Sequence, residues 1–267
     1  MELWKLHQGN APLIVDVPHA GLHVPDAIAL RLTPAAQALP DTDWHVDELY
    51  AFARAADVTL LVATHSRYVI DLNRDPSGAA LYPGADNTEL CPTFTFDRSP
   101  IYVAGAVPDG IEIAARRAIF HAPYHARLAR EVSRLRERHG YTVLLDGHSI
   151  PSEVPRFFSG RLPDLNLGTA DGASCDAALA TLATSITGST PGFTLIVNGR
   201  FKGGYITRHF GRPVEHVHAL QLEIAQSAYL DEADPRLFDP ARAARLANLL
   251  ERLVVAMSEW RPQMRRR

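Results

Sequence analysis

Five short apolar runs punctuate the chain, Pro12–Val17, Thr59–Ala63, Tyr141–Leu145, Phe193–Val197 and Ala219–Ile224. Runs of this length, rich in Val, Ile and Leu, read as strands buried on both faces. Between them apolar residues recur every three or four positions, which predicts helices over 43–56, 111–139, 174–187 and 238–258. In the last of these, Leu246, Leu249, Leu250, Leu253 and Val254 fall on one helical face. Strands alternating with helices imply an α/β fold: a mostly parallel mixed sheet with helices on both faces. Ligands of such sheets gather beyond the carboxyl ends of the strands, so functional residues should follow strands. The Pro/Gly-rich stretches 75–110 and 150–173 are long enough to wall an active site. With no internal repeat and no low-complexity linker, residues 1–267 read as one domain.

Composition narrows the function by exclusion. With 27 Lys+Arg against 30 Asp+Glu the net charge is −3, so no global field draws the chain to nucleic acid or anionic lipid. The Arg- and His-rich stretch 111–139 and the terminal Arg265-Arg266-Arg267 lack interleaved stacking aromatics and read as solvated surface. Cys91 and Cys175 form no metal-knuckle spacing, nowhere do 18 apolar residues run together, and Met1–Lys5 opens no secretory signal. The expectation is a cytoplasmic, non-membrane protein acting on a small molecule; oligomeric state leaves no signal. The 12 histidines are the positive lead, several of them beside glycine or acid at segment ends.

Two histidines follow apolar runs: His19 in Val15-Asp16-Val17-Pro18-His19-Ala20-Gly21 and His148 in Leu144-Leu145-Asp146-Gly147-His148. Each alone could cap a turn, but together they would reach one sheet edge. His23 is a weaker candidate. The acidic segment Asp41-Thr42-Asp43-Trp44-His45-Val46-Asp47-Glu48 enters a helix, where a single carboxylate suffices for capping. That leaves a carboxylate for a cation, Asp43 in preference to Glu48. Two histidines and one carboxylate make the three-ligand set of a catalytic zinc, although cobalt, iron or manganese suits the same donors. Asp146 is a candidate to orient an imidazole. Glu223, inside the apolar run Leu220–Ile224, is costly there unless paired or kept for work, and a general base beside a metal is such work. Arg67, Asn73 and Arg74 offer fixed forks for a carboxylate. Arg200 and Lys202, beside Gly203-Gly204, lack the spacing of a phosphate loop and suit a substrate-closing loop.

VPHAG, DTDWHVDELY, SRYVIDLNRDP, DGHSIPSEVPRFF, NGRFKGGYITRHFG and LQLEIAQSAYL, in this order over about residues 12–230, together resemble the N-formylglutamate amidohydrolase family of histidine catabolism. That family is similar in fold to zinc carboxypeptidases and aspartoacylases. The resemblance implies an Asn-Arg pair for a substrate carboxylate at Asn73-Arg74, a histidine at His148 and a late-strand glutamate at Glu223. It implies hydrolysis of N-formyl-L-glutamate to formate and L-glutamate, a dicarboxylate for which Arg67, Arg74, Arg200 and Lys202 supply cations, with Arg156 a further candidate. The His-x-x-Glu of carboxypeptidases is absent, because Leu22 stands three residues after His19. Hydrolysis of another N-acyl amino acid and non-enzymatic binding of an anionic ligand are the competing readings.

Overall fold

The computed structural model describes residues 2–81 and 84–263, so Arg265–Arg267 and residues 82–83 of the 75–110 stretch lie outside the described residues. Seven strands, β1 (Trp4–His7), β2 (Leu13–Val17), β3 (Thr59–Ala63), β4 (Thr142–Ile150), β5 (Leu165–Gly168), β6 (Leu195–Val197) and β7 (Val217–Ala225), form one sheet in the order β1-β3-β2-β4-β7-β5-β6. Pairs β2/β3, β2/β4, β4/β7 and β5/β6 are parallel, while β1/β3 and β5/β7 are antiparallel. The mostly parallel mixed sheet expected from the pattern is therefore present. β1 and β5 were not expected: β1 is a half-exposed edge strand without a clean apolar run, and β5 is four residues long inside the 150–173 stretch. That stretch is accordingly not all loop.

The helices are α1 (Asp26–Ala29), α2 (Pro34–Gln37), α3 (Val46–Leu49), α4 (Gly110–Arg116), α5 (Ala122–His139), α6 (Ala177–Gly188), α7 (Tyr205–Phe210) and α8 (Pro240–Glu259). α8 starts as its sequence dictates: the Asp239 carboxylate accepts from Ala241 N and Arg242 N, and Pro240 stands where its missing N–H costs nothing. α5 stops at Gly140, which adopts a left-handed φ of 79°. The helix expected over 43–56 is a correction. It shrinks to α3 and a 3-10 turn, Ala51–Arg54, and His45 at its start makes no side-chain cap. None of the segment's carboxylates caps it, because Asp41 and Asp43 are drawn into tertiary bonds. The helix expected over 111–139 is interrupted by a π turn, Arg117–His121, just before Pro123, whose ring nitrogen offers no hydrogen to the carbonyl four residues back.

Both faces of the sheet are covered. Leu13, Val15 and Val17 of β2, Val143 and Leu145 of β4, and Leu220, Leu222 and Ile224 of β7 pack with α6 and α8. Ile14, Leu144 and Ala219 face the other way, with Tyr124, Leu128 and Leu135 of α5 and Ile206 of α7. Side chains alternate along a strand, so Asp16, Asp146, His148, Gln221 and Glu223 share this second face. Toward the carboxyl ends of three adjacent central strands, one face of the sheet thus turns from aliphatic to ionisable.

Candidate metal centre and active site

His19 sits in the bend after β2, His148 inside β4 and Asp43 in the turn before α3; all three are buried, with ligand atoms within 4.8 Å of one another. His148 thus does not follow its strand, as expected, but extends it. The reason is β7: Thr142–Ile150 pairs in parallel with Val217–Ala225, which sets His148 opposite Glu223.

Both imidazoles are oriented by carboxylates behind them. His19 Nε2 lies 2.8 Å from Asp71 Oδ1, and His148 Nε2 lies 2.8 Å from Asp146 Oδ1. A ring nitrogen facing a carboxylate carries the proton, so both Nδ1 atoms present lone pairs to the centre. His148 Nδ1 is 3.0 Å and His19 Nδ1 3.7 Å from Asp43 Oδ2, and among the described residues His19 Nδ1 finds no hydrogen-bond partner. Three acceptor atoms converging in a buried space call for a cation, and the set fits a divalent metal. The electrostatics agree. Burial opposes ionisation of Asp43, yet Arg67, His148 and His19 outweigh it and hold its carboxyl far below the usual range. Burial also opposes charge on His148, but Asp146 and Asp43 raise its pKa well above the usual value, so a proton and a metal ion compete for its Nδ1 lone pair. Positive charge belongs at this point. Asp71, which the sequence reading missed, is likewise held ionised against its burial by Arg74, His19 and Arg67.

Glu223 is buried beside this centre, and burial raises its pKa to about 7, with His148 and Arg67 pulling down and Asp43 and Asp146 pushing up. Gln221 Nε2 donates to Glu223 Oε2 at 3.2 Å and Gly204 N donates to Gln221 Oε1 at 2.6 Å, so the residue two before the glutamate ties it to the 198–204 loop. Period-two alternation could have revealed Gln221 in the sequence. His19, His148 and Glu223 open onto one cavity with Arg67, Arg74 and Arg200, walled by Phe96, Phe157 and Phe201.

The other candidates divide. Arg67 donates to Asp43 Oδ1, lies over the Phe96 ring at 5.2 Å, and keeps a buried Nε that finds no hydrogen-bond partner among the described residues. Arg74 lines the cavity while anchored to Thr88 O, Thr88 Oγ1 and Asn73 O. Asn73 reaches the cavity too, although its Oδ1 accepts from Ile206 N and its Nδ2 lies 2.8 Å from His148 Nε2. Arg200 donates through Nε to Phe157 O. Arg156 bonds Asp86 and Thr95 O, and Lys202 pairs with Asp171 at 3.0 Å; neither is among the cavity's described lining residues. Glu48 is exposed and outside the centre, His45 bonds the carbonyls of Pro235 and Arg236, and His23 packs edge-on against His65.

A mixed α/β sheet carrying a buried His-Asp-His group that could hold a metal ion, beside a glutamate of raised pKa, fits one class: the hydrolases. Within that class the chain belongs to the N-formylglutamate amidohydrolase family, whose model matches residues 11–230. It is 44% identical to an N-formylglutamate deformylase of Pseudomonas putida over 256 residues, 96% of each chain. It is 45% identical to an N-formylglutamate deformylase of Pseudomonas aeruginosa, covering 97% of both. The crystal structure of an N-formylglutamate amidohydrolase from Ralstonia eutropha JMP134 superposes with a TM-score of 0.81 at 28% identity, over 97% of this chain and 98% of that one.

Proposed function

We propose that this chain hydrolyses N-formyl-L-glutamate to formate and L-glutamate with one divalent metal, zinc by preference, held by His19, His148 and Asp43. The observation that carries the reading is the convergence of three acceptor atoms beside Glu223 in a cavity lined by arginines. When bound, the metal supplies a Lewis acid for the formyl carbonyl and acidifies water. Glu223, with a pKa near about 7, takes the proton of the attacking water and returns it to the amide nitrogen as the C–N bond breaks. Arg67, poised over the centre, stabilises negative charge on the formyl oxygen, and Arg74 and Arg200 bind the carboxylates. The aromatic wall excludes water from these ion pairs and strengthens them. Asn73 acts here chiefly by holding Asp146, the carboxylate behind His148, and the start of α7. Arg156 and Lys202 stand as outer cations of the loops. The reading includes a cytoplasmic location, supported by two cysteines that are buried free thiols.

The test is metal analysis of purified protein together with formate release. Stoichiometric metal and turnover of N-formyl-L-glutamate are expected, with N-formylglutamine and formylated neutral amino acids hydrolysed far more slowly. Equal turnover of the neutral substrates would remove the dicarboxylate assignment. Metal-free protein at full activity would remove the metal.

A further inference from the structure

The segment Asp71–Arg74 carries the substrate-facing Asn73 and Arg74 yet lies outside every strand and helix. Its backbone polar groups have no ladder, so something else must fix them. Asp71 Oδ1 accepts from Asn73 N at 2.9 Å. The three carbonyls that follow are taken in turn. His125 Nε2 lies 2.8 Å from Leu72 O, Arg74 Nη1 donates to Asn73 O at 2.9 Å, and His121 Nε2 lies 3.1 Å from Arg74 O. A carbonyl only accepts, so both Nε2 atoms carry hydrogen. His125 Nδ1, buried and without a partner among the described residues, is then a bare lone pair. The rings stack on each other, centroids 4.1 Å apart at 21°, and His125 lies parallel to Phe210 of α7. Between them Tyr124 donates to Asp16 Oδ1 at 2.6 Å, on the strand beside Asp146. The π turn ends at His121, and His125 lies one turn further on the same face.

We propose that His121 and His125 are positioning residues for substrate binding: two neutral imidazoles that grip the carbonyls on either side of Asn73 and so aim Arg74 at a substrate carboxylate. They touch neither substrate nor metal. The inference rests on reading Arg74 as a carboxylate fork, and its effect belongs to substrate affinity.

The experiment compares His121→Phe/His125→Phe, which keeps the stacked rings and removes both donors, with His121→Gln/His125→Gln, whose amides can reach the same carbonyls. The Phe pair is expected to raise KM for N-formyl-L-glutamate about tenfold, with kcat changed less than about threefold and metal content unchanged. The Gln pair is expected to restore most of the loss. If the Phe pair does not fold, His125→Phe alone carries the same expectation at a smaller shift. Unchanged KM, a loss confined to kcat, or failure of the Gln pair to rescue overturns the inference. Arg74→Ala is measured alongside. If it leaves KM unchanged, the carboxylate fork itself is wrong; if it raises KM while the histidine variants do not, only the positioning role fails.

Discussion

At the residue scale the centre is decided by which polar atoms already have partners. Asp43 gives one oxygen to Arg67 and turns the other, which also accepts from Ser149 N at 3.1 Å, between two imidazole lone pairs. Glu48, the carboxylate the sequence left as the alternative, points to solvent. Asp43→Asn is therefore expected to abolish bound metal as His19→Ala or His148→Ala does, while Glu48→Gln keeps it; elemental analysis of the variants reads the difference. Among the described residues Glu223 has neither a ligand's position in the group of three acceptors nor an ion-pair partner of its own, which suits the proton transfer proposed for it. Glu223→Gln should lower kcat by roughly 100- to 10,000-fold with metal content normal. Metal lost together with activity would make it a ligand instead.

At the element scale, the site depends on close approach of segments. The β4/β7 register sets His148 beside Glu223, and Gly147 lets the Tyr50 ring press on β4, where an added Cβ would meet Tyr50 Cε2 at 2.8 Å. Gly204 does the same for the loop that leads into α7: a Cβ there would stand 2.5 Å from both Cγ and Oδ1 of Asn73. Gly204→Ala must therefore push Asn73 away from His148 or pull Gly204 N from Gln221. A displacement near 1 Å costs on the order of 100-fold in such sites, so kcat/KM should fall by about that factor. Steady-state kinetics beside a thermal melt separates this from unfolding; a variant with wild-type kcat/KM would show that the loop yields freely.

Across the whole molecule, five histidines outside the centre are held toward the neutral form: His65, His121, His125, His209 and His218. Burial lowers His125 to about 3, helped by its stacked neighbour His121, and lowers His65 to about 4, helped by His23; His121, His209 and His218 move the same way. A histidine with a folded pKa below its unfolded value of about 6.5 stabilises the native state above that pH and loses the contribution as pH falls toward the folded pKa. Asp41 and Glu223, raised to about 6 and about 7 by burial, act in the opposite sense over the same range, so total stability against pH is not a clean readout. A difference is. The stability of the wild type relative to His65→Gln should be larger at pH 7.5 than at pH 4.5, measured by urea unfolding; a difference independent of pH would show that His65 binds its proton equally well in the native and the unfolded state.

Periodicity determined what depends only on local backbone geometry: four buried strands, α8, the α/β class and the separation of one aliphatic face from another. The run Phe193–Val197, expected to be buried on both faces, is instead the short and largely exposed edge strand β6. Periodicity also exposed His19, His148 and Glu223, because a polar residue interrupting an apolar run stands out without knowledge of its partners. Asp71 and the paired His121 and His125 could not be recognised in that way. Each acts by bonding a group far away in the chain, and in a linear sequence each looks like an ordinary polar residue. The helix expected over 43–56 failed for a related reason. Its acidic entry suits a cap, but arginine, tyrosine and histidine from other strands and turns outbid the helix amides for the carboxylates. Only the packing of β4 against β7 and of α5 against the 71–74 segment decided which donors and acceptors meet, because register and side-chain reach are properties of neighbours in space.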